Sequence, residues 1–274
     1  MNWIESLLYG LVSGISEFLP ISSRGHQVFL YYIFGIATPD PVMQLFVHSA
    51  LMAALYVGFK PYLDQMRRIR TPMNYTGVKR NIPRITTDER LARNAVLPLL
   101  MVMFLVSYFV SGNIPLPLVA VILILNGLIM YLPDRFVQGN KSASSMSMLD
   151  SWLMGIVSGL SVLPGVSGVG AAVSVSLFRG ADRKKALNWA LLMAFYTLGA
   201  SVCLDLFAII AQRGTVPFFA SLFCYITAAA AAYVSGFIGV KIVKMFTSRG
   251  GYCGFAYYNW GMALFVFFIY LIVI

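Results

Sequence analysis

Three ionisable residues fall within ten positions of one another in an otherwise apolar stretch, Gly10 to His26 (GLVSGISEFLPISSRGH): Glu17, Arg24 and His26. Placing one such group at the centre of a bilayer costs ~2.5–3.5 kcal/mol on insertion scales, so three together point to a shared purpose. Arg24 carries a planar fork of donors that matches a phosphate. Glu17 is a carboxylate that can hold a divalent cation such as Mg²⁺ or Ca²⁺, which keeps waters and takes phosphate oxygens as further ligands. His26 can serve as general acid, base or nucleophile, and Ser23 can orient His26 or a phosphate. Ser22 or Ser23 can N-cap a helix that starts after Pro20. The plainer reading is an ion pair between Glu17 and Arg24 that locks the segment, with His26 hydrogen-bonded beside it.

A second, weaker copy of the stretch runs from Gly155 to Gly170 (GIVSGLSVLPGVSGVG), 145 residues further on. Gly10/Gly155, Val12/Val157, Ser13/Ser158, Gly14/Gly159, Ser16/Ser161, Ser22/Ser167 and Gly25/Gly170 are identical without gaps. Two copies in one chain imply a duplicated fold. Ser167 repeats the capping role of Ser22, so two short helices would aim free N–H groups and positive dipole ends at one place, which favours an anion. Gly25, Gly165, Gly168 and Gly170 would let backbone approach a bulky oxyanion. Arg24, Ser22, Gly25, Ser167, Gly168 and Gly170 are therefore the expected phosphate-binding set, with Glu17, Ser23 and His26 as the catalytic set.

These residues must be positioned by a membrane protein. The chain is 59% hydrophobic and 11% charged, against about 25% charged in soluble domains. Its net charge of +10 lies in clusters between apolar spans, where basic residues mark cytoplasmic loops. No polar domain exists to carry nucleic-acid binding, which is excluded as a function. Cys203, Cys224 and Cys253 form no ligand-spaced cluster and suit packing. The N-terminus has no pattern of a removed signal peptide. The expected fold is an all-α polytopic bundle made of two repeats. Residues 1–133 hold a re-entrant hairpin (2–34) and spans 42–62, 94–111 and 116–132. Residues 134–148 form a cytoplasmic linker. Residues 149–274 hold a second hairpin (150–178) and spans 186–210, 218–240 and 255–274. Broken helices at membrane depth are tolerated only where protein or a water-filled cavity satisfies them. Three spans per half is an odd number, so the second half is inverted, the hairpins enter from opposite faces, and their tips meet near the midplane. His48 is read as packing or support, and Asp205, near an outer helix end, as solvated.

The segment Glu17-Phe18-Leu19-Pro20-Ile21-Ser22-Ser23-Arg24-Gly25-His26 resembles the EFLPVSSTGH signature of the bacterial undecaprenyl pyrophosphate phosphatases. Pro164-Gly165-Val166-Ser167-Gly168-Val169-Gly170 is similar to that family's PGxSRSG, and Leu191 to Leu206 resembles its span ending in ALDL. The resemblance covers nearly the whole chain. It implies a multi-pass protein of the bacterial inner membrane whose site opens to the outer face. There it would hydrolyse a C55 polyprenyl diphosphate to the monophosphate lipid carrier of cell-wall synthesis, assisted by a divalent cation. By position Glu17 is the second carboxylate of ExxxE, Ser23 and His26 are the motif serine and histidine, and Ser167 is the serine of the second motif. Three positions depart. Ser13 replaces the first carboxylate, Gly168 the phosphate-binding Arg, and Asn259 the Arg of a Tyr-Arg pair near the last span. Arg24 stands where the family usually has Thr, so a guanidinium from the first hairpin would replace the one absent from the second. The same losses are what a non-catalytic binder or transporter of polyprenyl phosphate would show, since inverted repeats with broken helices also build transporters. No Walker A pattern occurs, so coupling to ATP is not expected. The sequence leaves a homodimer open.

Overall fold

The structure, a computed structural model, describes residues 1–70, 86–110, 114–136, 145–211 and 218–273. In chain order the helices are α1 (Trp3–Phe18), α2 (Ser23–Phe34), α3 (Pro41–Arg70), α4 (Thr87–Phe109) and α5 (Leu116–Phe136). They continue with α6 (Met148–Gly159), which ends in a 3₁₀ turn (Leu160–Val162), α7 (Gly168–Phe178), α8 (Arg183–Ala211), α9 (Phe218–Ser248) and α10 (Cys253–Val273). No strand occurs among the described residues. Six helices, α3, α4, α5, α8, α9 and α10, contain stretches long and apolar enough to cross a membrane. The other four are short. Most of the expected linker 134–148, together with the basic loop between α3 and α4, lies outside the described residues.

The two copies of the repeated stretch have matching local structure. α1 opens with a capping box: Asn2 Oδ1 accepts from Glu5 N at 2.9 Å, and the Glu5 carboxylate accepts from Asn2 N at 2.9 Å. At the same spacing of 145 residues, Ser147 Oγ accepts from Asp150 N at 3.2 Å, and the Asp150 carboxylate accepts from Ser147 N at 2.8 Å. Such reciprocal bonds satisfy two orphan donors of a helix start. The Asp150 side chain is buried and pairs with Arg179 at the end of α7, which ties the two helices of the second copy at their base.

The paired glycines explain how the short helices are held. α1 lies on α9 so closely that a Cβ at Gly10 would come within 2.2 Å of the Ala228 carbonyl oxygen, and one at Gly14 within 1.9 Å of Ser235 Oγ. α6 lies on α4 the same way: a Cβ at Gly155 would meet the Ala95 carbonyl oxygen at 2.2 Å, and one at Gly159 the Leu99 carbonyl oxygen at 2.6 Å. Helices in lipid gain no hydrophobic drive from each other, so small residues at the contact supply close van der Waals packing instead. Substituting Gly10→Val or Gly155→Val is expected to lower the melting temperature of detergent-purified protein, since overpacking costs ~1–3 kcal/mol. Gly199→Val, at a position with no neighbour within 4 Å, is expected to leave it unchanged.

Candidate functional site

The site is built from the breaks in the two helix pairs. α1 stops before Pro20, and the chain turns through Ser22, the one non-glycine residue with positive φ (66°) among the described residues. That conformation costs on the order of 1–3 kcal/mol and persists only when its surroundings hold it. Ser22 Oγ accepts from Gly25 N at 3.2 Å, capping α2, and from Gly165 N of the second break at 2.9 Å. Ser167 caps α7 by accepting from Gly170 N at 3.1 Å, and its hydroxyl donates to the Leu19 carbonyl at 3.4 Å. Each break thus bonds to the other.

Two buried asparagines fix this junction to the long helices. Asn126 of α5 donates to Asn259 of α10 at 3.0 Å. Asn126 Oδ1 accepts from Ser167 N at 3.1 Å. Asn259 Nδ2 donates to the Pro20 carbonyl at 2.8 Å. Sequence reasoning missed Asn126 and noticed Asn259 only as a departure. The available signal was a lone amide in each of two apolar spans, which must find a partner away from lipid.

Beside the junction lies a polar cavity of about 40 Å³, which is room for water. Glu17, Ser23 and Arg24 of the first copy line it together with Ser167 and Gly168 of the second. A second cavity, about 180 Å³, shares Arg24, Gln27 and His48 as lining residues. No ion pair joins Glu17 to Arg24 within 4.0 Å among the described residues, so the guanidinium is not neutralised in that way. Ser13, at the position of the absent carboxylate, is fully buried. Its Oγ accepts from Gln27 Nε2 at 3.0 Å, and its carbonyl accepts from the Ser23 hydroxyl at 3.4 Å.

Not every expected residue reaches the cavity. Ser22 is fully buried and does not line the cavity; its hydroxyl oxygen accepts from two N–H donors of the junction. Gly25 and Gly170 are packing positions: added Cβ atoms would lie 3.2 Å from Gly165 N and 2.0 Å from Met130 Cε. His26 points elsewhere. Its Nδ1 lies 2.8 Å from the Ser22 carbonyl, which can only accept, so Nδ1 carries a proton. Its Nε2 lies 2.8 Å from the Tyr258 hydroxyl, and the two rings stack.

A different histidine faces the hollow. His48 of α3 lines both cavities. Its Nδ1 lies 2.7 Å from Asp205 Oδ2 of α8. Asp205 was expected to be solvated, but it is 7% exposed: α3 and α8 pack together at this level and close it off. The carboxylate accepts the Nδ1 proton, fixes the tautomer and leaves Nε2 without a hydrogen bond among the described residues. Two ionisable residues in separate apolar spans were the signal for this pair. Among the described residues no group of three or more His, Cys, Asp or Glu gathers to hold a metal ion unaided.

The sequence model of the family described as "Bacitracin resistance protein BacA" matches residues 6–265. The chain is 28% identical over 260 residues to a Carboxydothermus hydrogenoformans protein named undecaprenyl-diphosphatase, covering 95% of this chain and 94% of that protein. It is 28% identical over 266 residues to a Methanococcus maripaludis protein of the same name, covering 96% and 98%. A Halalkalibacterium halodurans protein named undecaprenyl-diphosphatase 2 is 26% identical over 289 residues, covering 98% and 97%.

Asn259→Leu is expected to lower thermal stability in detergent by ~1–3 kcal/mol, because it strands buried partners. Asn126→Leu should act likewise, and the double variant should lose less than the sum of the two, which a double-mutant cycle measures.

Proposed function

The chain belongs to the BacA family of bacitracin resistance proteins, and from that premise we propose that it is an integral-membrane phosphatase that removes the terminal phosphate of undecaprenyl diphosphate. The products are the monophosphate lipid carrier and inorganic phosphate. The observation that carries the proposal is the polar hollow at the junction of the two breaks, in which Arg24, Glu17 and Ser23 face Ser167 and Gly168 inside an apolar bundle.

The topology belongs to the same proposal. The matching capping boxes and glycine contacts, each 145 residues apart, support an inverted repeat whose two short-helix pairs are re-entrant. The basic ends face the cytoplasm of the bacterial inner membrane, and the hollow opens to the outer face.

Hydrolysis requires water to form a bond to the terminal phosphorus while the bridging P–O bond breaks and the lipid monophosphate leaves. Most of the catalysis is positioning and stabilisation of charge on the phosphoryl oxygens. Arg24 and the helix starts at Ser23 and Gly168 supply positive character there. Ser23 and Ser167 hold the two helix starts at the hollow, the Ser23 hydroxyl donating to the Ser13 carbonyl and the Ser167 hydroxyl to the Leu19 carbonyl. His48 accepts the proton of the attacking water at Nε2, and Asp205 holds the resulting imidazolium, as carboxylate–histidine pairs do. His26, bonded at both nitrogens within the protein, is a positioning residue that fixes the Ser22 turn. Glu17 is the residue that would hold Mg²⁺ or Ca²⁺, since one carboxylate completed by water and phosphate oxygens is an ordinary Mg²⁺ donor set. When bound, the cation neutralises charge on the diphosphate.

The deciding assay is phosphate release from undecaprenyl or farnesyl diphosphate by purified protein in detergent, with Mg²⁺, Ca²⁺ or EDTA. Arg24→Ala is expected to reduce turnover by about 10²–10³-fold, the usual effect of removing one transition-state donor. Arg24→Thr with Gly168→Arg should recover part of it. Recovery is partial because a Cβ at 168 would lie 2.9 Å from Ser161 Cβ. Unchanged turnover in Arg24→Ala would sink the role given to the guanidinium. His48→Gln and Asp205→Asn are expected to lower kcat by roughly 10²–10⁴-fold with little change in KM, as loss of a proton-transfer group does. A change in KM alone would assign the pair to binding.

A further inference from the structure

A cavity larger than the hollow at the junction lies elsewhere among the described residues. It measures about 1050 Å³ and lies among the end of α3, the connection from α7 to α8, and the end of α9. His48 and Gln65 line the two different sites on the same helix. They are 17 residues apart, which is about 25 Å along an α-helix. The two sites are therefore distinct.

Its lining is strongly basic. Arg183, Lys184, Lys244 and Arg249 border it, against a single carboxylate among the described residues, Asp182. That carboxylate is already engaged. Asp182 Oδ1 accepts from the backbone N of Lys184 at 3.0 Å and of Lys185 at 3.2 Å, and Oδ2 pairs with Lys185 Nζ at 3.2 Å. Charge of one sign around a concave opening focuses the field and concentrates ions of the opposite sign there.

Two side chains inside the cavity lack the partners their burial demands. Lys244 is half-buried. Its Nζ donates to the Gly58 carbonyl at 2.7 Å and lies 5.0 Å from the centre of the Phe59 ring. No carboxylate lies within ion-pair distance of it among the described residues. A carbonyl and a ring face satisfy part of an ammonium and leave its charge uncompensated. Three residues on, and so on the same helix face, Thr247 is 4% exposed, and its hydroxyl has no hydrogen-bond partner among the described residues. A buried hydroxyl left in this state costs about 1–3 kcal/mol. A ligand bearing anionic oxygens satisfies both at once. Pro61, Leu177 and Leu187 supply apolar wall beside the charges, which suits a headgroup attached to a hydrocarbon chain. Basic pockets between membrane helices are known to take such headgroups.

We propose that this cavity binds the phosphate group of an anionic lipid, with Lys244 and Thr247 as the inner contacts and Lys184 and Arg249 at the mouth. The site is separate from the hydrolytic one, and its occupant is held rather than hydrolysed.

The test measures melting temperature in neutral detergent as a function of added dioleoyl phosphatidic acid, dioleoyl phosphatidylcholine, or inorganic phosphate alone. It is carried out in an Arg24→Ala background so that the junction hollow does not contribute. Phosphatidic acid is expected to raise the melting temperature in a saturable way, and phosphatidylcholine is not. Lys244→Gln with Arg249→Gln should raise the lipid concentration at half-effect about tenfold or more, the scale of one lost charge-assisted hydrogen bond. Thr247→Val changes shape least and should weaken the response in the same direction should Lys244→Gln fail to fold. Lys244→Arg should retain it. A response to phosphatidic acid without one to inorganic phosphate identifies the lipid as the ligand. Equal response to inorganic phosphate, no response to either anion, or a response that survives Lys244→Gln/Arg249→Gln and Thr247→Val, overturns the proposal. Phosphate release in an Arg24-intact Lys244→Gln/Arg249→Gln variant is expected to stay within about twofold of the unaltered chain, since distant sites with no shared partners act independently.

Discussion

An interrupted helix inside an apolar bundle exposes backbone groups that lipid cannot satisfy, and the rest of this structure follows from how that problem is solved. The chain breaks twice, at Pro20 and at Gly165, and each break supplies the partners of the other. Ser22 Oγ accepts from Gly165 N, and the Ser167 hydroxyl donates to the Leu19 carbonyl. The asparagines on α5 and α10 satisfy two further groups, Ser167 N and the Pro20 carbonyl, and bond to each other. A positive φ at Ser22 persists because its side chain is held from two directions. The hollow exists where it does because two helices start there and neither can be filled in by apolar packing without stranding these bonds.

Much of this was legible in the sequence, because the relevant signals were either periodic or costly. Six long apolar stretches announce six long helices. The identity of Gly10 with Gly155 and Gly14 with Gly159 marks a repeat, and the structure gives those glycines their reason in the contacts of α1 with α9 and α6 with α4. Ser167 was recognisable as a cap from its position after Gly165, and the cap after Pro20 was narrowed to Ser22 or Ser23, of which the structure uses Ser22.

What escaped was angular or long-range. His26 is two residues from Arg24, and proximity in sequence suggested one shared site. Two residues on an α-helix turn the side chain through about 200°, so His26 diverges from Arg24, and its ring is held by the Ser22 carbonyl and the Tyr258 hydroxyl. It meets Tyr258, a contact across 232 residues that no local pattern encodes. The pairing of His48 with Asp205 spans 157 residues and escaped for the same reason. Gly25 and Gly170 looked like room for an anion and are instead room for Gly165, Met130 and Pro20. A glycine signals close approach without saying of what.

The substitutions that looked like losses are consistent with one another once the hollow is seen. A carboxylate at position 13 would sit beside Gln27 and Ser23, two residues that line the hollow with Arg24. With Ser13 there, Gln27 bonds to a neutral hydroxyl and Arg24 keeps its charge free of an ion pair. Gly168, opposite, packs closely on the end of α6, where an added Cβ would lie 2.9 Å from Ser161 Cβ. Where the family has a cation, Asn259 is an amide bonded to Asn126 and the Pro20 carbonyl at the junction and to the Phe255 carbonyl of its own helix. One positive group, one negative group and a set of hydroxyls remain along the hollow: Arg24, Glu17 and the hydroxyls of Ser23 and Ser167 among them.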